Sequence, residues 1–563
     1  MNLIDRRVGL LFAGFCALLL LVVFRAAWVQ GVNGGEYSAE AKGQQVETVV
    51  VPGSRGTIYD RTGAELAVSE DAATVFATPY QVEDPEATAH KLAKSLGGKA
   101  DQDEILALLA DRESGFAYIE RKVDLATANE ISKLDLPGIG MLPDSRRIYP
   151  QGSLAGQVIG TTGIDNQGLT GLEAVEDEAL HGTDGERDVV RDALGDELER
   201  DTIAAAAAGS DMKLTLDASL QAETERVLAG IGQTYSPDGA TAIVMDPRSS
   251  EVLAMATWPG LDPRDTINLD PEALRNMATG FTYEPGSTFK AFTVAGALED
   301  GVVTPETMFD LPPTLQIADR EIEESHERGY ITLSVADILA QSSNVGAVLI
   351  GLALNDEFGD SNYGGRFDGW IRKFGFGEPT GIDFPGEERG ILVDPKDYSG
   401  STMGNLPLGQ GLSVTPLQMA ASYSAIASDG VLRTPRLVLE QGGEAVAHPE
   451  GERVISASNA AKVREMLEGV LEAGGTAAAV EVPGYTLAGK TGTAQKAIDG
   501  GYSDTEFVAS FVGFAPAENP QLLVTVVVDN PKGDYYGGTV AAPAFGEIAN
   551  FALPYLGIAP DQD

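Results

Sequence analysis

Apolar positions along the chain form one unbroken run and many short ones. Residues 8–24 (VGLLFAGFCALLLLVVF) carry no charge across 17 positions. At about 1.5 Å per residue they predict a helix of roughly 25 Å. Ala26, Ala27, Trp28 and Val29 extend the segment to residues 8–29, past an Arg25 whose stem can snorkel to an interface where Trp28 is also at home. Arg6 and Arg7 precede the run, so the positive-inside rule puts the N-terminus in the cytoplasm and the rest outside the plasma membrane. A cleaved leader would have a shorter apolar core and a small-residue cleavage site. No clear Ala-x-Ala follows, so the segment reads as a retained single-pass anchor. With no second run of this kind, residues 31–563 form one external portion.

The shorter patterns divide that portion. Residues 46–51 (VETVVV) read as a strand and 103–111 as a helix; residues 204–209 (AAAAAG) read as a connector. From Lys213 the pattern changes. Residues 213–217 alternate like a strand and 219–231 have helical spacing. Residues 240–246 and 251–257 predict two strands of a hairpin around Pro-Arg-Ser-Ser. Helical patterns fill the middle, among them 332–341 and 345–354. Strand-like runs return at 486–495, 507–514 and 522–528. The expected organisation is a cytoplasmic tip and anchor at 1–30, a first external domain at 31–205, a connector at 206–212 and a second external domain at 213–558. The last is an α/β domain whose sheet is assembled from distant parts of the chain.

Composition narrows the chemistry. The 563 residues carry 39 Lys+Arg against 84 Asp+Glu, a formal charge of −45, which argues against nucleic acid as a partner. The acidity is spread over both external parts and reads as a solvated surface. The single cysteine, Cys16, lies in the anchor. The four histidines are scattered without metal-ligand spacing, so a zinc site is not expected. Nucleophilic catalysis must then come from Ser, Thr or Lys.

Three short motifs offer it. Ser-x-x-Lys occurs at Ser210–Lys213 and at Ser287–Lys290. The first leads into a strand pattern, where i and i+3 point to opposite faces. The second follows Glu284-Pro285-Gly286 and opens an apolar segment closed by Gly301, a helix beginning at Ser287. There Lys290 is a neighbour of Ser287 and can reach its hydroxyl. A lysine is a useful base only if burial or positive charge lowers its pKa. Taken alone, this is equally an N-cap serine beside a surface lysine. Ser342-Ser343-Asn344, between two helical patterns, can supply a proton relay (Ser342) and an amide clamp (Asn344), or be a plain connection. In Lys490-Thr491-Gly492-Thr493 on a strand, Thr491 and Thr493 share a face fit for a carboxylate, Gly492 permits close approach and Lys490 adds positive field; the bland alternative is a glycine-containing edge strand. In this order the three are the signature of the penicillin-recognising serine enzymes.

The chain resembles the class B penicillin-binding proteins, membrane-anchored peptidoglycan D,D-transpeptidases, over nearly its whole length. Arg55-Gly56-Thr57-Ile58-Tyr59-Asp60-Arg61, Ser145-Arg146-Arg147-Ile148-Tyr149-Pro150 and Gly168-Leu169-Thr170-Gly171-Leu172-Glu173 are similar to motifs of the family's pedestal. Gly409-Gln410-Gly411, Val414-Thr415-Pro416-Leu417-Gln418 and Phe511-Val512-Gly513-Phe514-Ala515-Pro516 are similar to motifs of its catalytic domain. The resemblance implies an elongated α+β pedestal of the dimerisation type, then a serine transpeptidase/β-lactamase-like α/β domain with a central antiparallel sheet flanked by helices. It implies Ser287 as nucleophile, Lys290 as base, Ser342 and Lys490 as proton donors to the leaving group, and Asn344, Thr491, Gly492 and Thr493 as substrate-binding residues. The backbone N–H groups of Ser287 and Thr493 would form the oxyanion hole. The substrates would be stem peptides ending in D-Ala-D-Ala, with β-lactams as mimics and no metal or organic cofactor. The partners would be a polytopic lipid II polymerase and other division proteins.

Ser342-Ser343-Asn344-Val345-Gly346 resembles the septal, cell-division branch, with an elongation- or sporulation-type enzyme as the alternative. A β-lactamase is less favoured, because Glu-x-x-Leu-Asn is absent between Asn344 and Lys490. A scaffold or antibiotic sensor is also less favoured, because every motif residue is present. Ser250 departs from the pattern where a hairpin glycine is usual.

Overall fold

A computed structural model describes residues 3–31, 46–98, 100–191, 197–265, 271–357, 365–498 and 501–562. The N-terminal run is one helix, α1 (Leu3–Gly31), of which Arg6–Gly31 has a mean hydropathy of 2.5. Its apolar side chains are exposed all round, among them Leu10, Phe12, Leu20 and Phe24. A helix apolar on every face needs an apolar surround, so α1 fits a single-pass membrane anchor.

Chain contacts divide the rest into two compact units that do not follow chain order. One takes residues 1–54, 70–146 and 182–209; the other takes 55–69, 147–181 and 210–563. In the first, strands Val46–Val51, Gly185–Arg191 and Glu197–Ala204 form a three-stranded antiparallel sheet. Residues 204–209 were expected to be a connector throughout, but Ala204 still belongs to the last of these strands and Ala207 bridges Thr183. Helices Pro85–Ser95, Gln102–Ala110 and Leu125–Ser132 close over a second core of Val75, Val82, Leu92, Ile105, Leu109 and Ile131. Asp84, Asp101 and Asp124 cap the three helices, each accepting a backbone N–H of the first turn.

The second unit is built on a five-stranded sheet. Helix α2 (Ala218–Tyr235) leads into β1 (Gly239–Asp246) and β2 (Glu251–Trp258), the expected hairpin, closed by Glu251 opposite Asp246. Ser250 in its turn has a φ of +58° and is fully buried. The interior helices are α3 (Lys290–Glu299), α4 (Asn344–Glu357) and α5 (Pro416–Ala427). The sheet is completed by β3 (Ala488–Ile498), β4 (Gly501–Ala515) and β5 (Leu522–Asp529), and α6 (Ala542–Tyr555) packs against it. The order is β2-β1-β5-β4-β3, antiparallel throughout, so the sheet joins two ends of the unit and β3 lies at an edge.

Residues 332–341 do not form one helix. Ile331–Ser334 pairs with Met308–Leu311, and the helix is Val335–Ala340. The Ile-Thr-Leu sequence favours a strand, and Ser334 with Asp337 forms a capping box that starts the helix late. The strand expected at 213–217 is also shorter, Met212–Leu214.

Residues 55–69 and 147–181 contribute a buried charge cluster to the second unit. Glu173, with no exposure, accepts from Arg55 at 2.9 Å and from Arg147 at 2.7 Å, and Arg55 also meets Asp177. The arginines of two recognised motifs thus converge on the glutamate of a third.

Candidate active site

Ser287 does not begin an α-helix. Gly286–Phe289 is a turn of 3-10 helix, and α3 starts at Lys290. Side chains at i and i+3 eclipse in a 3-10 turn, so the spacing still puts Ser287 and Lys290 on one side. The turn is pinned by backbone. Gly286 N–H donates to Gly409 O at 2.9 Å, Tyr423 Oη donates to Thr288 O at 2.6 Å, and Thr288 Oγ1 donates to Pro285 O at 2.7 Å. Gly409, with a φ of +84°, must be glycine: a Cβ there would lie 2.1 Å from Gly286 O. The Gly409-Gln410-Gly411 motif therefore braces the serine's turn, and Gly411 N–H donates to Glu284 Oε1 at 3.0 Å. Thr415 and Gln418 of the next motif form the capping box of α5.

Behind the turn α3 is buried from Lys290 to Leu298, with Phe289 and Phe292 packed on Phe374, Phe376 and Tyr423. Lys290 is the one charged residue of this buried stretch. Its Nζ donates to Ser342 O at 2.7 Å and to Asn344 Oδ1 at 2.6 Å, and lies 3.3 Å from Ser342 Oγ. The amine was expected to reach Ser287; its hydrogen bonds run to Ser342 and Asn344 instead, which joins two motifs directly. A neutral amine has two N–H donors and one lone pair. The two short bonds use the donors and leave the lone pair for a hydroxyl. Burial pushes the Lys290 pKa down to about 7; Glu324 opposes the shift and Arg328 adds to it. Lys490, fully buried in β3, lies 3.3 Å from Thr491 O, and burial and then the charge of Lys290 push its pKa well down.

As an edge strand, β3 leaves alternate backbone groups unpaired on its outer side. Thr491, Thr493 and Gln495 lie along one face, as period two requires, and line a cavity of about 820 Å³ with Ser287, Ser342 and Asn344. Thr491 Oγ1 is 2.6 Å from Thr476 Oγ1, and Thr493 Oγ1 accepts Gly537 N–H at 3.0 Å. Gly492 packs against the serine's turn. A Cβ there would meet Ser510 Oγ at 2.3 Å, with Pro285 O and Thr288 Cγ2 both at 2.9 Å.

All eight candidate residues thus gather at one place: five line the cavity, the two lysines lie buried beside it, and Gly492 sets the spacing of strand and turn. The other Ser-x-x-Lys match, Ser210–Lys213, contributes nothing to the cavity lining. Its Lys213 is in the short strand Met212–Leu214. Sequence reasoning missed Glu324 and Arg328, whose charges act on Lys290, and Arg320, Thr476 and Tyr536 in the lining. Glu324, Arg328, Thr476 and Tyr536 lie in irregular segments and Arg320 opens a four-residue strand, and no motif marks them.

Residues 240–550 match the penicillin binding protein transpeptidase domain and residues 50–214 the penicillin-binding protein dimerisation domain. The chain is 37% identical to Stage V sporulation protein D of Bacillus subtilis, over 97% of this chain and 85% of that one. It is 33% identical to the peptidoglycan D,D-transpeptidase FtsI of Escherichia coli, over 100% and 93%. Among solved structures, penicillin-binding protein 3 of Mycobacterium tuberculosis complexed with aztreonam aligns with a TM-score of 0.70 at 29% identity, over 91% of this chain and 98% of that one.

Proposed function

The chain belongs to the class B penicillin-binding proteins and is a peptidoglycan D,D-transpeptidase; from that premise we propose that Ser287 is its nucleophile and Lys290 its general base. Neutral Lys290 takes the Ser287 proton as Oγ attacks the carbonyl carbon between the two D-alanines. The C–N bond breaks, and the terminal D-alanine leaves with a proton relayed through Ser342 and Lys490. An amine of a neighbouring stem then attacks the ester: a C–N bond forms, the C–O bond breaks and Ser287 regains its proton. Ser287 and Thr493 N–H groups hold the oxyanion, Asn344 orients the peptide, and Thr491 and Thr493 bind the terminal carboxylate beside Gly492.

The observation that carries this reading is the buried Lys290 amine bonded to Ser342 and Asn344 next to a cavity shared by Ser287, Thr491 and Thr493. With a pKa of about 7 half of the amine is neutral at pH 7; an ordinary lysine would be neutral in about one molecule in 3,000. The test is labelling by a fluorescent penicillin, with mass mapping of the adduct, in wild type and Ser287→Ala. A stable adduct on Ser287 that is lost in the variant supports the assignment; equal labelling of both overturns it.

We further propose a septal role, an N-terminus on the cytoplasmic side, and contact with a lipid II polymerase and other division proteins. The proposed segments are an anchor at 1–30, a pedestal-type domain at 31–205, a connector at 206–212 and a catalytic domain at 213–558. Ser342-Ser343-Asn344-Val345-Gly346 and the FtsI relatives support the septal role. The sporulation relative at 37% identity favours a second reading, a sporulation transpeptidase. Depletion separates them: filaments mean division, normal growth with failed spores means sporulation, and rounded cells mean elongation.

A further inference from the structure

Glu324 lies on the loop after strand Arg320–Glu323 and has no part in the three motifs. Its carboxylate is almost wholly covered, with 7% side-chain exposure. Oε2 accepts Asn344 N–H at 2.8 Å. Oε1 accepts Ser343 Oγ–H at 2.7 Å and Val345 N–H at 3.1 Å, and also meets Arg328. Asn344 and Val345 are the first residues of α4, whose leading N–H groups have no partner within the helix. A carboxylate there satisfies them and suits the helix dipole. Arg328 also donates to Ser343 Oγ at 2.8 Å, and Ser343 Oγ accepts Gly346 N–H at 2.9 Å.

What this network holds is a strained segment. Ser342 has a φ of +61°, in the left-handed region that a non-glycine residue enters at a cost. That turn aims Ser342 O and Ser342 Oγ at Lys290, and the next turn aims Asn344 Oδ1 at the same amine. Asn344 Nδ2 donates to Glu323 O at 2.7 Å, which fixes which end of the amide faces the lysine. Ser343, the middle residue of the motif, is buried and spends its hydroxyl wholly on Glu324, Arg328 and Gly346.

We propose that Glu324, steadied by Arg328, is a positioning residue for acyl transfer: by capping α4 at Asn344 it holds Ser342 and Asn344 where both meet the Lys290 amine. The proposal rests on the assignment of Ser287 and Lys290 as nucleophile and base. The charged groups acting on Lys290 are Glu324, Arg328 and Lys490. Glutamine at 324 keeps the shape but removes the charge and one acceptor. The cap loosens, and Lys290 loses the nearby anion that favours its protonated form. Removing the Arg328 charge has the opposite electrostatic sign.

The experiment measures the second-order rate constant for acylation of the full chain by a fluorescent penicillin from pH 5 to 9. It uses wild type, Glu324→Gln, Arg328→Met, Arg328→Lys and Ser287→Ala, with thermal unfolding of each. The expected result is a loss of about tenfold or more for Glu324→Gln on its plateau. Its acid limb moves to lower pH, that of Arg328→Met moves to higher pH, and that of Arg328→Lys stays near wild type. Wild-type rates and limbs in both charge-removing variants overturn the proposal. So does a loss of rate with no opposed movement of the limbs, which marks a merely structural role. If Glu324→Gln does not fold, the limb of Arg328→Met against Arg328→Lys decides by the same criterion. Labelling that survives Ser287→Ala overturns the nucleophile assignment instead, whatever the other variants do.

Discussion

Gly492→Ala probes the spacing between the edge strand and the turn that carries Ser287. A Cβ at 492 would meet Ser510 Oγ at 2.3 Å, and Pro285 O and Thr288 Cγ2 at 2.9 Å, where ordinary contact begins at 3.4 Å. The serine hydroxyl can rotate away. Pro285 O cannot, because it belongs to the turn that presents Ser287 and already accepts Thr288 Oγ1–H at 2.7 Å. Clearing it needs 3.4 − 2.9 = 0.5 Å of separation between β3 and the turn. Thr491 and Thr493 move with β3, and Ser287 stays with the turn. Productive geometry tolerates about 0.5 Å, and about 1 Å of misplacement costs on the order of 100-fold. The expected loss in the acylation rate constant is about 10- to 100-fold, with about 1–3 kcal/mol of destabilisation from overpacking. Stopped-flow acylation by a fluorescent penicillin and denaturant unfolding read the two effects separately. A rate within twofold of wild type, with β3 unshifted in a crystal structure of the variant, would refute the reasoning.

Three further predictions follow from other parts of the structure. Acylation of the wild type should rise about tenfold per pH unit below an apparent pKa near 7 and flatten above it, because only the neutral Lys290 amine accepts a proton and burial holds its pKa at about 7; a rate constant flat from pH 5 to 9 would sink this. Ser250→Gly should stabilise the catalytic unit by about 1 kcal/mol, since it relieves a left-handed φ of +58° and removes a buried hydroxyl without a hydrogen-bond partner; thermal unfolding reads it as a rise of about 2 °C, and a fall counts against it. Glu173→Gln should cost about 3–5 kcal/mol in denaturant unfolding, because it leaves two buried guanidinium groups short of their counter-charge, and a change below 1 kcal/mol would show that the cluster is not what holds these segments.

Where sequence and structure agree, the signal was local and periodic. The hairpin at β1 and β2 and the strands β4 and β5 run largely apolar, and α1 is apolar over more than four turns. The three motifs were readable because their chemistry depends on neighbours in sequence: Ser287 with Lys290, Ser342 with Asn344, Thr491 with Thr493. What escaped is chemistry between distant residues. Lys290 meets Ser342 and Asn344 more than 50 positions away, so its bonding could not be inferred from an i, i+3 spacing that pointed to Ser287. Glu324 sits in Glu323-Glu324-Ser325-His326-Glu327, which reads as a solvated loop. Only the fold shows that one of its carboxylates is covered and set on the first turn of α4. The grouping of residues 55–69 and 147–181 with the sheet was likewise unreadable, because its bonds are long-range: Glu173 joins Arg55 over 118 positions, and Gln157 Nε2 donates to Pro259 O, just past β2, over 102.

The strand order has a consequence for how the molecule comes into being. β5 lies at the centre of the sheet, between β1 and β4, yet it is the last strand made. Between the end of β2 at residue 258 and the start of β5 at residue 522 the chain lengthens by 264 residues. At about 5–20 residues per second that is roughly 13–53 s. Throughout that interval the β1–β2 hairpin carries an open edge of apolar backbone with no native neighbour, an invitation to pairing with other chains. Ser287 is synthesised early in this wait, but β3, whose threonines line the cavity with it, is paired with β4, which is itself held by β5. A chain stopped short of residue 522 lacks β5, so β4 and β3 have no route to β1 in the sheet.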